Sequence, residues 1–525
     1  MMFRWRKSLS LFLMLLVLVS LTSAGVFAQG ASLQVQTPLE KAITGVGGEE
    51  ALSSLAAVAI DTSGIRWVHD EGFTPGGPPG MIGPFEAQIT YDIGGDNLRL
   101  DYVMQSLGNE RQVSEVIAGE LGYLDGMNAN FGAPGVSNMS SDRWASIRKH
   151  QRLLNPHVIL QGIVADPAGV TEGGEVLLDG SVHHTLVVED EVAPMTLYVN
   201  AGTGRLAKLT TMENDGLRRD VPLEVFYYSW QPVGDLFFPA ELYIAYDGDI
   251  VHKEIRSTIE VNPEIDEALF EFPADASPEF DAELAARGEA HHQYLQTFAA
   301  FGFPRDGIQP QVEATELGPG VFHLTGGSHH SLAVEQDDGI VIVEAPLDEV
   351  RSQAVIDWVG TTFPDKPISH VVSSHHHVDH SAGLRTYVAQ GATVVMHESA
   401  APFFEEIFLA TSTVVPDPLA ENPAAATIEP VEGDGPFTIS DGTNSVEVYR
   451  IENTHAEDMV ITFVPEAGVV FVSDLYSPNP DAPSTGPGGV VLNDAITQFD
   501  LDVSTIAGGH GGTIAFEDFE SILGE

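Results

Sequence analysis

The sequence predicts an α+β protein: an antiparallel, β-rich N-terminal region followed by a layered domain of mixed strands and helices. Three observations carry that prediction. From residue 33 to about 273, apolar residues recur mostly at every second position, the period of strands with one buried face. From about Val312, near-continuous apolar runs alternate with helical patterns, as in α/β layered domains. Histidines and aspartates then cluster just past the ends of such runs, where open α/β sheets place their sites.

The N-terminus opens with Arg4, Arg6 and Lys7, continues with an apolar run over residues 9–21, and reaches small residues at Ala28. This is the pattern of a secretory signal peptide over residues 1–28, cleaved after Ala28. The apolar run falls short of the ~20 residues that span a bilayer. An exported protein, periplasmic or secreted, is expected. The chain has no cysteine, which excludes disulfides and thiolate ligands, so stability must come from core packing or from metal.

Residues 33–275 read as one β-rich domain. A helix is expected in GGEEALSSLAAV, residues 47–58, and a Pro/Gly loop without regular structure in FTPGGPPGMIGP, residues 73–84. Phe85, Ala87, Ile89 and Tyr91 alternate with polar residues, and Leu98, Leu100, Tyr102 and Met104 do the same beyond the turn IGGDN. That predicts an antiparallel hairpin with one buried face. Similar strands follow in MTLYVNAGTGRLAKL, LEVFYYSW, QPVGDLFFPAELYIAY and HKEIRSTIEV. With its turn VGDLFFP and its closing VNPEIDEALFEFP, the region resembles the curved half-barrel of LolA/LppX-type bacterial lipoprotein carriers. The resemblance implies an apolar concavity holding a lipid or acyl ligand. A sheet that only packs against the second domain is the alternative.

Residues 276–310 read as a helical linker, with His291 and His292 on a solvated face. The layered domain, residues 311–525, starts with two or three strands in GVFHLTGGSHHSLAVEQDDGIVIVEAP. Helix, strand, helix, strand and helix follow in DEVRSQAVIDWVGTTF, ISHVVSS, SAGLRTYVAQG, ATVVMHE and APFFEEIFLA; NSVEVYRIE, DMVITFVPEAGVVFVSD and VSTIAGG are strand-like.

Acidic residues outnumber basic ones 76 to 23, for a formal net charge of −53, and only six of the basic residues are Lys. Such a surface repels phosphate backbones and anionic membranes, which argues against nucleic-acid partners. It fits solubility in a salty environment, where screening relieves self-repulsion.

The stretch SSHHHVDHSAG, residues 373–383, lies between a strand and a helix. In an extended loop, side chains at i and i+2 point the same way, so His375 and His377 can share one ion. Asp379 and His380 fall at the turn into the helix and can face a second. Imidazole and carboxylate suit Zn²⁺ and also allow Fe or Mn. His455 in ENTHAEDM, Asp474 closing GVVFVSD and His510 after VSTIAGG supply further ligands at strand ends.

The order H-x-H-x-D-H, then His, Asp and His, over residues 312–525, resembles the metallo-β-lactamase superfamily. The resemblance implies an αββα sandwich, with His375, His377 and His455 on a first metal, Asp379, His380 and His510 on a second, and Asp474 bridging. His376 matches a non-ligand position. It implies a hydrolase with two divalent ions whose bridging water falls from a pKa of 15.7 to ~7, acting on a small-molecule ester, lactone, thioester or amide. Asp379 would also orient the hydroxide or carry a proton to the leaving group. His329, His330 and Tyr476 are candidate substrate contacts, Glu344 a support for a loop near the metals, and His397 a structural residue. The glyoxalase II-like and lactonase-like branches share this ligand set. The EAP strand end at residues 344–346 and the HAED motif look most like quinoprotein-relay or SoxH-like zinc hydrolases. One alternative is a β-lactamase-type amide hydrolase, although Ser477 stands where lactamases often carry a Lys for the substrate carboxylate. The other is a lipid- or ligand-binding exported protein with a degenerate metal domain, and the intact ligand set counts against it.

Overall fold

The computed structural model describes residues 36–106, 109–126, 135–190, 192–290 and 311–523. The expected signal peptide lies outside the described residues, as do residues 291–310 of the expected linker with His291 and His292. The chain from Pro38 onward forms one compact unit. Among the described residues no helix is long and apolar enough to cross a membrane.

The N-terminal sheet has thirteen strands, every neighbouring pair antiparallel. One run of hairpins goes from Ala57–Val68 at the centre, through Gly80–Asp92 and Asn97–Ser106, to Val136–Asn138 at one edge. Helices Ser141–Leu154 and Pro156–Ala165 then carry the chain to the opposite edge, Val170–Leu178. Hairpins lead back to Asp249–Val261, which pairs with Ala57–Val68. The predicted alternation is realised: Phe85, Ala87, Ile89 and Tyr91 are buried, as are Leu98, Leu100, Tyr102 and Met104, with Ile89 opposite Leu100. That face is covered by the two helices. Ile147 packs with Val58, Ile60 and Leu100, and Leu153, Ile159 and Leu160 pack with Leu197, Leu209 and Leu242. Between these apolar patches the contact is polar. Arg143 pairs with Glu115, Tyr102 donates to Glu115 Oε1 at 2.6 Å, and Lys149 lies 3.0 Å from Glu213. Buried charges persist in such a contact because they are paired.

Two local expectations are corrected. The helix over 47–58 spans only Glu49–Ser53, because Val58 already pairs with Tyr91 on one side and Val261 on the other. The Pro/Gly loop is shorter than expected. Residues 80–84 join the strand Gly80–Asp92, with Pro84 opposite Ile65, and a register shift at Arg66/Trp67 absorbs the irregularity.

The C-terminal region holds two more sheets. The first has seven strands, from Glu313–Gly318 to Thr427–Val431; its leading four are antiparallel, and Ile340–Val343, Ile368–Val372, Thr393–His397 and Thr427–Val431 run parallel. The second has six, from Phe437–Ile439 to Thr513–Ala515. Their facing sides share one core in which Leu332, Val341, Val343 and Val372 meet Val446, Val460, Val469 and Phe471. Helices cover both outer sides. Val355 and Val359 of Glu349–Thr362 and Tyr387 of Leu384–Ala389 pack on Ile342 and Val394, while Leu492 and Ile496 of Gly486–Gln498 pack on Ile461 and Ile506. The layering is helix, sheet, sheet, helix. The N-terminal sheet joins it through an apolar and a polar contact: Val68 and Leu217 belong to the buried Ile342 core, and Asp220 accepts from the backbone of Thr413 and Val414 nearer the surface.

Candidate metal centre

Every histidine and aspartate singled out as a ligand comes to one place, at the ends of buried strands. Ile368–Val372 leads into the loop carrying His375 and His377, and Asp379 and His380 lie in the helical turn Val378–Ser381. His455 follows Val446–Arg450, Asp474 follows Val469–Val472, and His510 follows Thr505–Gly508.

Two groups form there. In one, ligand atoms of His375, His377, His455 and Asp474 all lie within 4.8 Å of one another. In the other, those of His329, Asp379, His380 and His510 do so. Asp474 faces both. Its Oδ2 is 3.1 Å from His455 Nε2 and 3.9 Å from His375 Nε2, and its Oδ1 is 2.9 Å from His380 Nε2 and 3.1 Å from His510 Nε2. A carboxylate with one oxygen toward each imidazole group has the shape of a bridge.

The hydrogen bonds show which atoms are kept for the centre. The outward nitrogens are engaged. His375 Nδ1 meets Ser374 Oγ at 3.0 Å, and His377 Nε2 donates to Gly72 O at 2.9 Å. His380 Nδ1 meets Ser473 Oγ at 3.1 Å, and His510 Nδ1 donates to Ser328 O at 2.9 Å. The inward atoms are different. His375 Nε2, His377 Nδ1, His380 Nε2, His455 Nε2, Asp379 Oδ1 and Asp474 Oδ1 are buried and have no hydrogen-bond partner among the described residues. Buried polar atoms left in this state are costly unless something else satisfies them. Outward donation to a carbonyl or hydroxyl fixes the tautomer that leaves a lone pair facing inward. The donor set therefore fits divalent cations with nitrogen and carboxylate ligands.

The electrostatics differ between the two groups. Burial and the neighbouring imidazoles push His375 well below the usual histidine value, and burial with His455 takes His377 down to about 4. Both stay neutral, as ligands must. Burial also opposes charge on His380, but the carboxylates of Asp474, Asp379 and Glu344 outweigh it and raise that imidazole. Burial would raise Asp474, yet His380, His455 and His510 hold it far below the carboxylate range.

The remaining candidates are placed as follows. His376 turns away and engages Asp458 Oδ1 at 2.6 Å, which gives the last residue of the HAED motif its role. Glu344, fully buried, accepts from Ser374 Oγ at 2.5 Å and lies 3.2 Å from His380 Nδ1. His329 Nε2 is 3.0 Å from Asp379 Oδ2, with its ring 4.2 Å from that of His510, so it lies inside the second group. His330 instead meets Gly327 O at 3.1 Å and packs on His323. Tyr476 is buried with its ring 5.1 Å from Phe519 in the outer helix core. His397 Nδ1 accepts from Ser399 N at 3.1 Å, beside a cleft of about 720 Å³ that Phe73, Arg450 and Asn453 also line.

Sequence reasoning missed Glu71 and Gly72, which reach this centre from the N-terminal sheet. The Pro/Gly loop that follows them was visible, but no spacing rule links it to residues some 300 positions away.

Residues 324–510 match the family model described as the metallo-beta-lactamase superfamily. The comparison with curated proteins returned no match. Among solved structures, a metallo-beta-lactamase from Pontibacter korlensis is 18% identical at a TM-score of 0.32, covering 40% of this chain and 96% of that one. The metallo-beta-lactamase FIM-1 from Pseudomonas aeruginosa, in its mono-zinc form, is 20% identical at 0.32, covering 41% and 93%. A metallo-beta-lactamase from Hirschia baltica is 18% identical at 0.31, covering 40% and 95%. The matched stretch ends on His510 and contains all seven residues expected to bind metal, and this C-terminal part of the chain is a domain of the metallo-beta-lactamase superfamily, with that superfamily's hydrolase fold.

Proposed function

We propose that the protein is an exported hydrolase that holds two divalent ions, Zn most readily, and cleaves a small-molecule ester, lactone, thioester or amide. The observation that carries this reading is Asp474, whose two oxygens face two separate imidazole groups at 2.9–3.9 Å. His375, His377 and His455 would hold one ion, Asp379, His380 and His510 the other, and Asp474 both. Such ions supply Lewis acidity, which polarises a carbonyl and acidifies water.

The chain's own groups do the rest. Asp379 has Oδ2 held by His329, while Oδ1 is buried without a partner among the described residues. That oxygen would orient the attacking water or carry a proton to the leaving group. Ser374, Ser473, Glu344 and Gly72 hold the imidazole rings in register. Water is kept from the outer faces of the site, where His375, His377 and His380 are buried. Export rests on the pattern of residues 1–28. The half-barrel reading of the N-terminal domain is supported by its unbroken antiparallel order and by the helices along one face.

The test is metal content together with turnover. Purified mature protein should carry close to two ions per chain and hydrolyse at least one member of an ester, lactone, thioester and amide panel. His377→Ala should lose most of the metal and the activity. A wild type that is active without metal would overturn the proposal.

A further inference from the structure

The N-terminal sheet reaches into the metal centre by three consecutive residues. Glu71 Oε2 lies 3.6 Å from His377 Nδ1, the nitrogen of that ring which faces inward. Ligand atoms of Glu71, His377 and Asp379 all fall within 4.8 Å of one another. Gly72 O accepts from the other nitrogen, His377 Nε2, at 2.9 Å. Phe73 O accepts from Glu457 N at 2.7 Å, two residues beyond His455.

This segment is held firmly. Asp70, buried and at φ 56°, receives a two-pronged bond from Arg218 Nε and Nη2, each at 2.7 Å. The Arg218 guanidinium lies 5.2 Å from the Phe403 ring of the C-terminal domain. A Cβ on Gly72 would come within 2.3 Å of Pro78 O, and one on Gly80 within 2.1 Å of Glu71 O. The loop is cinched so that no larger residue fits at either place, and Glu71 is fixed where it stands.

We infer that Glu71 is an additional protein donor at the metal centre, brought from the N-terminal domain to the ion that His377 holds. The inference rests on the metal reading above. An anionic oxygen beside the inward lone pair of His377 repels nothing once a cation sits between them and attracts that cation strongly. The Gly72 carbonyl assists by fixing the tautomer. The N-terminal domain is then part of the site, since a side chain on one of its loops adds to the ligand set.

The experiment uses the full-length protein and Zn²⁺ alone, with affinity read by competition against a chromophoric chelator. Glu71→Gln keeps the shape and removes the charge; Glu71→Ala removes the side chain. Both should hold one of the two ions at least about tenfold less tightly than wild type, of the order that groups supporting a metal contribute. The Co²⁺-substituted variants should show an altered visible absorption band, with unchanged far-ultraviolet circular dichroism. Equal affinities and identical Co²⁺ spectra in wild type and both variants would overturn the role of Glu71 alone. A wild type that binds no Zn²⁺ would overturn the metal reading itself, and this inference with it.

Discussion

Replacing Arg218 by Met removes the fork that holds Asp70 and leaves its side chain, 3% exposed, without its main cation. Arg218 pulls Asp70 far below the usual carboxylate range despite burial, so the acid is ionised at neutral pH. Stranding one member of a buried pair costs about 3–5 kcal/mol. Arg218 itself is 20% exposed, which favours the lower end. Its second contact, to Asp247 at 2.9 Å, adds little because that carboxylate is more exposed. We therefore expect Arg218→Met to lose about 3 kcal/mol. Asp70→Asn with Arg218→Met should recover at least about half of it, since no charge is then buried alone. The pH dependence has a definite sign. The folded value of Asp70 is depressed, so its contribution is present above the unfolded value near 3.8 and fades as pH falls below it. The assay is urea unfolding at pH 7, with metal saturating, followed by far-ultraviolet circular dichroism. A single variant within about 0.5 kcal/mol of wild type would place the pair with ordinary surface contacts and refute the reasoning.

Three further outcomes are expected. Glu344→Gln should weaken metal binding about 10–100-fold while leaving the fold intact, since it removes the carboxylate beside His380 Nδ1; a chelator titration decides it. His157, buried and stacked on Phe238, is lowered by burial to about 3, so the unfolded chain takes up a proton below pH 6.5 that the folded chain refuses. Stability should therefore decline from pH 6.5 toward 3, and His157→Phe should flatten the slope by up to about 1.4 kcal/mol per pH unit; parallel slopes would count against it. Finally, the charge of −53 should make the melting temperature rise from 0.1 M to 1 M NaCl, as the screening length shrinks from ~10 Å to ~3 Å, with metal kept saturated; a flat or falling value would show that the surface is no salt adaptation.

Much of the centre was legible because its residues come in local patterns. His375, His377, Asp379 and His380 sit within six positions, and their spacing alone puts pairs of side chains on a common side. Asp474 and His510 were recognisable from the apolar strands they close, and His455 from the strand-to-strand turn before Val460–Val464. His329 was seen as a neighbour of the pocket, but nothing local told that its ring would meet Asp379. Glu71 was illegible for a stronger reason: one acid among 76 carries no mark until the sheet brings it against His377. In the fold, alternation located the strands, while their ends depended on partners far along the chain. Val58 left the expected helix because Val261 claimed it, and residues 80–84 left the expected loop because Ala57–Val68 offered an edge.

That pairing of the first and last strands of the large sheet has a consequence for how the protein is made. Ala57–Val68 finds its partner Gly80–Asp92 soon after synthesis, but its other edge waits for Asp249–Val261, about 200 residues later, and contacts so distant in sequence form slowly. Until then the growing chain carries an open strand edge that another copy could pair with. Glu71 lies three residues beyond that first strand, whose second edge is closed by Asp249–Val261. Metal offered to a half-made chain meets an incomplete set of ligands. On the reading that Glu71 is a donor, a truncated form would reach neither full metal affinity nor full protection from aggregation.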